Sequence, residues 1–260
     1  MITIRNLWKR FGKLQVMAGL DLDIKEGETL VILGPSGIGK SVLLKHIIGL
    51  LRPDEGTIEV DGMMITDLSG SEIYKSIHDM GMLFQGAALF DSMNVEENVG
   101  FYLSEHGDPQ TGRKFTKKEI EEKVAYALEL VGLKDTQKKM PSELSGGMRK
   151  RAALARMIVY RPKIVLYDEP TTGLDPIIAM QINELIVKTK EELKATSIVV
   201  THDMFSALYV GDRLALIRDG KIAHIATPDE FLKIDDPLIK FLYCTISQDP
   251  RTLKEKNHHA

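Results

Sequence analysis

Cysteine is nearly absent from the sequence, and so is any long hydrophobic run. The 260 residues include one cysteine, Cys244, which cannot form an internal disulfide bond. Because residues 1–5 show no signal-peptide pattern either, we expect a reducing, cytosolic location and a small apolar packing role for Cys244. The most apolar segment, 43–51, contains Lys45 and His46, so it lacks the roughly 18 uncharged residues that a membrane span requires. Any role at a membrane would therefore depend on another chain.

An excess of charge of either sign is also missing. Lysine and arginine total 34 and aspartate and glutamate total 37, which gives a net charge of −3. This balance argues against a protein that coats nucleic acid or binds a membrane through a basic patch. No nucleic-acid partner is therefore expected. A chain of this length buries a substantial core and favours one large domain or a core with an embedded subdomain, and the sequence contains no internal repeat.

The segment 34–41 matches the phosphate-loop pattern G-x-x-x-x-G-K-[ST] at every fixed position. Its residues are Gly34, Pro35, Ser36, Gly37, Ile38, Gly39, Lys40 and Ser41. The apolar run 29–33 predicts a buried strand before it, and 41–48 predicts a helix after it. Backbone N–H groups of such a loop and the positive end of the helix bind phosphate oxygens. We expect a nucleoside triphosphate site in which Lys40 reaches the β- and γ-phosphates and Ser41 binds Mg²⁺.

Two adjacent carboxylates end a second apolar run, 164–167. At the end of a strand the backbone bends, so Asp168 can bind Mg²⁺ while Glu169 faces the attacking water. The alternative, a solvated acidic turn before Pro170, is disfavoured by the phosphate loop upstream. A third apolar run, 197–201, is followed by His202, which could contact a γ-phosphate.

Three further segments give weaker signals. Phe11 could stack on a purine base with Val16 beneath the sugar, although a phenylalanine in the core fits the spacing equally well. The segment 86–99 is loop-like but apolar, which suggests a docking surface anchored by Phe90 and Met93. Its alternative is core packing of Leu89 and Phe90 beneath a helix.

A Ser-Gly-Gly turn at residues 145–147 precedes a predicted helix, whose N-terminus would offer a second anion site. Near the end of the chain, residues 214–225 predict a hairpin with an Asp-Gly turn that we expect only to complete the fold.

Together these motifs resemble the ATP-binding cassette family of ATPases over roughly residues 2–230. The segment Leu144–Met148 resembles its signature motif, Gln85 its Q-loop, Asp168 and Glu169 the end of its Walker B motif, Gly173–Asp175 its D-loop and His202 its H-loop. The resemblance implies an α/β fold with a P-loop NTPase (RecA-like) core, an antiparallel β-subdomain and an inserted α-helical subdomain at about 87–160. It also implies one ATPase domain over 1–245 and a polar tail over 246–260.

The same resemblance assigns roles to residues. It implies ATP hydrolysis with Glu169, His202 and Gln85 as catalytic residues, and Mg²⁺ held by Ser41, Gln85 and Asp168. The ATP-binding residues that it implies are Phe11, as the adenine-stacking aromatic, Val16, the whole phosphate loop Gly34–Ser41, Ser145, Gly146, Gly147 and Asp175. Two copies would form a head-to-tail dimer with two ATP molecules at the seam.

One residue of the signature differs from the usual family pattern: the signature ends in Met148, where most members have glutamine. This difference points to a smaller group within the family. With residues 82–90 and 93–95, this variant resembles the ATPases of the Mla/Mce phospholipid transport systems. That implies integral membrane permease subunits bound near residues 85–102, an Mce-domain lipid-binding subunit, and a position on the cytoplasmic side of the inner membrane.

Alternative functions are an importer ATPase for a small solute such as an amino acid, a non-transport ABC ATPase of translation or DNA repair, and a small-molecule kinase. A single cassette without a heptad run argues against the second, and the signature with His202 against the third.

Overall fold

Two sheets organise the chain in the computed structural model, which describes residues 2–70, 72–73, 77–108 and 111–247. The strands are β1 (Ile2–Phe11), β2 (Leu14–Ile24), β3 (Thr29–Leu33), β4 (Glu55–Val60), β5 (Met63–Met64), β6 (Met80–Leu83), β7 (Ile164–Asp168), β8 (Thr196–Thr201), β9 (Arg213–Arg218) and β10 (Lys221–Ala226). The helices are α1 (Lys40–Ile47), α2 (Val95–His106), α3 (Lys117–Leu130), α4 (Gly146–Ile158), α5 (Pro176–Leu193), α6 (Met204–Val210), α7 (Pro228–Phe231) and α8 (Pro237–Ser247).

The larger sheet has the strand order β10-β9-β3-β8-β7-β6, and only the β9–β10 pair in it is antiparallel. Alternate side chains of β3 enter two separate cores: Val31 and Leu33 pack with α2 to α6, whereas Leu30 and Ile32 pack with α1 and the second sheet. Strands covered on both faces have to be apolar throughout, which explains the uninterrupted runs in the sequence. The predicted buried strands and the α/β class are confirmed.

The smaller sheet is antiparallel, in the order β2-β1-β4-β5, as the sequence predicts for the region beside the nucleotide core. Its first two strands, β1 and β2, are 10 and 11 residues long, and β1 contains an irregularity. Asn6 adopts a left-handed backbone (φ 48°), and the register of β1 shifts after Ile4. Such a bulge breaks the alternation without ending the strand, so the pattern hides the continuation.

The chain between the neighbouring strands β6 and β7 forms the helices α2, α3 and α4. The predicted loop over 86–99 is wrong from residue 95 onward, because α2 begins at Val95. Asn94 caps this helix and forms a capping box with Glu97, so polar residues typical of loops here start a helix. The division of the chain into subdomains stays a prediction.

The C-terminal helix α8 differs from the sequence-based expectations for Cys244 and for the start of the polar tail. Cys244 is exposed on it rather than packed in the core. The helix continues to Ser247, two residues into the predicted polar tail, and the rest of that tail, 248–260, lies outside the described residues. Within the described ranges, no helix has both the length and the apolar composition needed to cross a membrane.

Candidate functional site

The phosphate loop connects β3 to α1, as the sequence predicts. Gly37 (φ 81°) and Gly39 (φ 108°) have left-handed backbones that favour glycine. A Cβ on Gly39 would lie 2.4 Å from Cγ1 of Val16, so the loop rests directly on β2. Val16 therefore packs directly against the phosphate loop at Gly39.

The ammonium group of Lys40 lies at the centre of the loop and is almost fully buried. It donates to the carbonyl oxygens of Gly34 (2.7 Å) and Pro35 (3.0 Å), and it lies 3.1 Å from Oε1 of Glu169. A buried cation held by two neutral carbonyls and one carboxylate can be shared with another anion. This arrangement suits a phosphate group.

Ser41 lies in the first turn of α1 and donates from its hydroxyl to Oδ1 of Asp168, over 2.6 Å. Asp168 is the last residue of β7 and is buried. A hydroxyl and a carboxylate in contact are hard oxygen ligands of the kind that Mg²⁺ takes together with substrate phosphates. Among the described residues, His, Cys, Asp and Glu form no cluster of three or more that would bind a metal alone. The donor set therefore fits Mg²⁺ with part of its shell supplied by phosphate and water.

Glu169 follows β7 with a left-handed backbone (φ 47°), and its N–H donates to the carbonyl oxygen of Val200 on the neighbouring strand. The carboxylates of Asp168 and Glu169 contact different residues of the phosphate loop, Ser41 and Lys40 respectively. Oε2 accepts a hydrogen bond from Thr172 (2.9 Å) and lies 2.8 Å from Nδ1 of His202. Burial alone would raise the pKa of Glu169, but the charge of Lys40 and these hydrogen bonds hold it below its usual value. The group is therefore a carboxylate at neutral pH.

One pocket of about 260 Å³ collects most of these side chains. It is lined by Ser36, Gly37, Gly39, Lys40, Ser41, Val42, Gln85, Glu169, Thr172 and His202. Gln85, which follows β6, thus reaches the same pocket as the phosphate loop. The structure brings together all three residues expected to be catalytic.

Other expected site residues lie outside the lining of this pocket. Phe11 is 46% exposed at the end of β1, with the ammonium group of Lys9 5.6 Å from its ring centroid. Ser145 is exposed and caps α4, whereas Asp175 caps α5 by accepting from the N–H groups of Ile177 and Ile178. Gly146 is exposed and Gly147 is buried at the start of α4. Phe11, Ser145 and Asp175 therefore have exposed surface that another molecule can contact, whereas Val16 and Gly147 are buried.

Comparison with known proteins agrees with this geometry. A family model described as "ABC transporter" matches residues 17–172. The chain belongs to the ABC transporter family. ATP and Mg²⁺ are the substrate and cofactor of this family, and the chain is an ABC ATPase with the P-loop NTPase fold that the sequence predicts.

Its relatives in the ABC family differ in what they transport. The intermembrane phospholipid transport system ATP-binding protein MlaF of Haemophilus influenzae is 41% identical over 93% of this chain and 90% of MlaF. The probable ribonucleotide transport ATP-binding protein Mkl of Mycobacterium leprae is also 41% identical, over 92% of this chain. The methionine import ATP-binding protein MetN of Clostridium tetani is 42% identical over 93% of this chain and 74% of MetN. The chain spans 65% to 67% of the length of the mycobacterial Mkl proteins.

A solved ABC structure matches most of the chain. The dimeric ATP-binding cassette MJ0796, in a post-hydrolysis state with ADP and Pi, superposes with a TM-score of 0.80 and 32% identity. The match covers 88% of this chain and 99% of MJ0796.

Sequence reasoning missed two residues of this ABC ATPase site. Thr172 holds Glu169 from the loop after β7, and a sequence pattern gave no reason to single it out. Lys150 is buried on α4, and its ammonium group donates to the main-chain carbonyl oxygens of Gln85 and Glu169. A lysine two positions beyond the signature motif was the available signal, but its target became visible only in the fold.

Proposed function

We propose that this chain is the ATP-hydrolysing subunit of a membrane transporter that moves phospholipid between membranes, of the Mla/Mce type. The likeness to MlaF carries the proposal, because it extends over nine tenths of both chains. Met148 in the signature supports the same assignment.

Binding of ATP is assigned to the phosphate loop together with two residues of the smaller sheet. Backbone N–H groups of residues 34–41 and the ammonium group of Lys40 bind the phosphates. Phe11 stacks on the adenine, and its exposed ring supports that role. Val16 holds the loop in place through its contact with Gly39.

Hydrolysis is assigned to Glu169, which orients the water and accepts its proton. A phosphate group competes with Glu169 for Lys40, and once that ammonium group turns away, burial acts to raise the pKa of Glu169. The carboxylate then becomes a stronger base while Thr172 and His202 keep it oriented. Ser41, Asp168 and Gln85 would hold Mg²⁺, which would supply positive charge to neutralise the phosphate oxygens.

Each ATP site is proposed to need two copies of the chain in a head-to-tail dimer. The exposed positions of Ser145, Gly146 and Asp175 support this, because they line no part of the pocket around Lys40. The N-terminus of α4 is then available to cap a phosphate bound by the partner copy. MJ0796 is itself a dimer.

The permease is proposed to dock beside Phe101. This ring lies between two pockets of about 400 and 750 Å³, with Phe90 lining the first and Met93 the second. Bound in this way, the protein is proposed to lie on the cytoplasmic side of the inner membrane, held there by permease subunits. An Mce-domain lipid-binding subunit is a further proposed partner, and nucleic acid is not.

The assembled complex tests this function. We expect the chain to copurify from native membranes with permease subunits, and the complex to move a fluorescent phospholipid between vesicles only when ATP is present. The Glu169→Gln complex should assemble but move none. MetN favours a second candidate, a small-solute importer. A complex that takes up methionine or a similar solute and transfers no lipid would support that candidate instead.

A further inference from the structure

Lys150 is a buried cation at the ATP site that the proposed mechanism does not use. It lies on α4, five residues after Ser145, and is 5% exposed. Its ammonium group donates to the carbonyl oxygen of Gln85 and, over 3.4 Å, to that of Glu169. Burial lowers the pKa of Lys150, although the nearby charges of Asp168 and Glu169 act against this. A lysine kept for solubility would instead extend its ammonium group into water.

The two carbonyl groups belong to neighbouring chain segments that leave the sheet at the same edge. β6 and β7 are parallel, and Leu83 pairs with Tyr167 at the last position of that ladder. Beyond it, the backbones at Gln85 and Glu169 no longer pair with each other as strands. An ammonium group has three N–H donors and no acceptor, so it can satisfy both carbonyl oxygens at once. Lys150 therefore replaces the missing ladder with a side-chain bridge.

A second basic residue of α4 holds the same segment further along. Arg156 donates to the carbonyl oxygens of Ala87 (3.1 Å) and Ala88 (2.7 Å). Both alanines have left-handed backbones, with φ of 65° and 52°, a conformation that alanine adopts only when its surroundings enforce it. The segment after Gln85 is thus strained and is held to α4 at both ends.

We propose that Lys150 is a positioning residue that fixes the backbone of Gln85 and Glu169 relative to each other and to the helix that begins at Ser145. It contacts main-chain oxygens, and in the described part of the chain it forms no ion pair. It therefore acts through the two residues it holds. The inference rests on the proposed roles of Gln85 in binding Mg²⁺ and of Glu169 as the base.

The dependence of nucleotide binding on Mg²⁺ provides a readout other than turnover. We would titrate the full chain with a fluorescent ATP analogue, once with Mg²⁺ and once with EDTA. The Mg²⁺ gain is the ratio of the affinity for the ATP analogue with Mg²⁺ to its affinity in EDTA. In Lys150→Met this gain should fall about tenfold, which is the effect of losing one hydrogen bond from a charged donor. The affinity in EDTA should stay within about twofold of the wild type. In the assembled complex kcat should fall about tenfold or more, and KM for ATP with Mg²⁺ should rise together with the weaker binding.

Three other variants complete the test. Lys150→Arg keeps the charge and the donors and should restore the Mg²⁺ gain, and Lys150→Gln, which keeps two donors without charge, should lie between. Should Lys150→Met fail to fold, the order of these two variants still tests the proposal. Lys163→Met makes the same change at an exposed lysine paired with Asp79, and it should match the wild type.

The result that overturns the inference is a folded Lys150→Met or Lys150→Gln chain with the Mg²⁺ gain and kcat of the wild type. Gln85→Ala and Glu169→Gln separate this from failure of the proposed function. If those two variants lose the Mg²⁺ gain and the turnover, respectively, while the Lys150 variants keep both, only the positioning role is wrong. If Glu169→Gln keeps its turnover, the base assignment is wrong.

Discussion

Glu169 has a different hydrogen-bonding or ionic partner on each of its carboxylate oxygens. A substitution by glutamine keeps the shape of the side chain and removes its ability to accept a proton. We predict that Glu169→Gln lowers kcat at least about 100-fold, because an amide can hold water by a hydrogen bond but cannot accept its proton. Affinity for ATP should stay within a few-fold of the wild type, since the phosphate loop is unchanged. Phosphate release from the assembled complex and a nucleotide titration measure the two effects.

Glu184→Gln is the matched control, because Glu184 is exposed on α5. It should leave kcat and ATP affinity unchanged. Near-normal turnover in Glu169→Gln would refute its assignment as the base.

The residues of the site differ in how visible they are in the sequence. Lys40, Ser41 and Asp168 were predictable because their positions relative to a strand end or a glycine loop fix what they can reach. Lys150 and Thr172 act on groups brought near by the packing of α4 and by the turn after β7. Main-chain carbonyl oxygens are present at every residue, so no sequence pattern marks the two that a lysine will bind.

At the level of elements, the structure of the loop before α2 shows which of its apolar residues pack in the core and which are free for docking. Leu89 packs against the core, whereas Phe90 remains 41% exposed with its ring 4.9 Å from that of Phe101. Asn98 fixes the loop, because its side chain exchanges hydrogen bonds with both backbone groups of Phe90. A rigid loop that exposes an aromatic ring is suited to receive a partner.

We predict that Phe90→Ser combined with Met93→Glu abolishes copurification with the permease and leaves ATP affinity and the melting temperature close to the wild type. The exposed part of Phe90 contributes little to folding, but it would be buried in a complex. Pull-down from membranes and thermal unfolding of the isolated chain are the measurements.

The control for this pair is Leu50→Ser with Met63→Glu, the same kinds of change at two exposed apolar residues elsewhere. It should copurify normally. A Phe90 and Met93 variant that folds, assembles and transports normally would exclude this loop as the docking site, and a large fall in its melting temperature would indicate a core role.

The junction between α8 and the β9–β10 hairpin depends on one buried carboxylate. Asp236 lies 2.7 Å from the guanidinium group of Arg218 and 3.0 Å from Nε2 of His224. Burial alone would raise the pKa of Asp236, but hydrogen bonds from the N–H of Leu238, from His224 and from Arg218 lower it to about 2. Because the folded value lies below the ordinary value of about 3.9, the stabilisation is complete above that pH and is lost as the pH falls towards 2.

We therefore predict that Asp236→Asn lowers the free energy of unfolding by about 1–3 kcal/mol at neutral pH, the usual cost of losing hydrogen bonds to a charged group. The difference from the wild type should shrink as the pH falls below about 4. Denaturant unfolding at several pH values measures this. Asp235→Asn is the control, since the pair that Asp235 forms with Lys240 is exposed and should contribute little to the free energy of unfolding. An equal loss in both variants would contradict the prediction.

Strands with an uninterrupted apolar pattern were predictable from the sequence. Elements whose pattern is broken by a bulge or by a helix cap were not. The uniformly buried β3, β7 and β8 are unbroken in the sequence. The bulge at Asn6 divides β1, and the capping box at Asn94 makes the start of α2 resemble a loop. Asparagine often ends a strand or a helix. Here Asn6 lies within β1, which continues past it, and Asn94 starts α2.

At the scale of the whole molecule, the signature residue Ser145 lies outside the lining of the pocket that holds Lys40. We predict that the isolated chain is mostly monomeric and a weak ATPase, because Ser145 lines no part of the pocket that holds Lys40. Turnover per chain should rise with protein concentration, and Glu169→Gln with ATP should elute as a dimer in size-exclusion chromatography. Rapid turnover by a demonstrated monomer, independent of concentration, would contradict the shared site.

The order of strands in the larger sheet also sets when the site can form during synthesis. β3 carries the phosphate loop, yet it pairs with β8 and β9, which end at Thr201 and Arg218. On the ribosome, β1, β2 and β4 can pair as soon as they emerge, whereas β3 has neither neighbour until late in translation. A growing chain therefore exposes four apolar residues of β3 that will later be buried, and the ability to bind ATP is among the last properties that the nascent protein acquires.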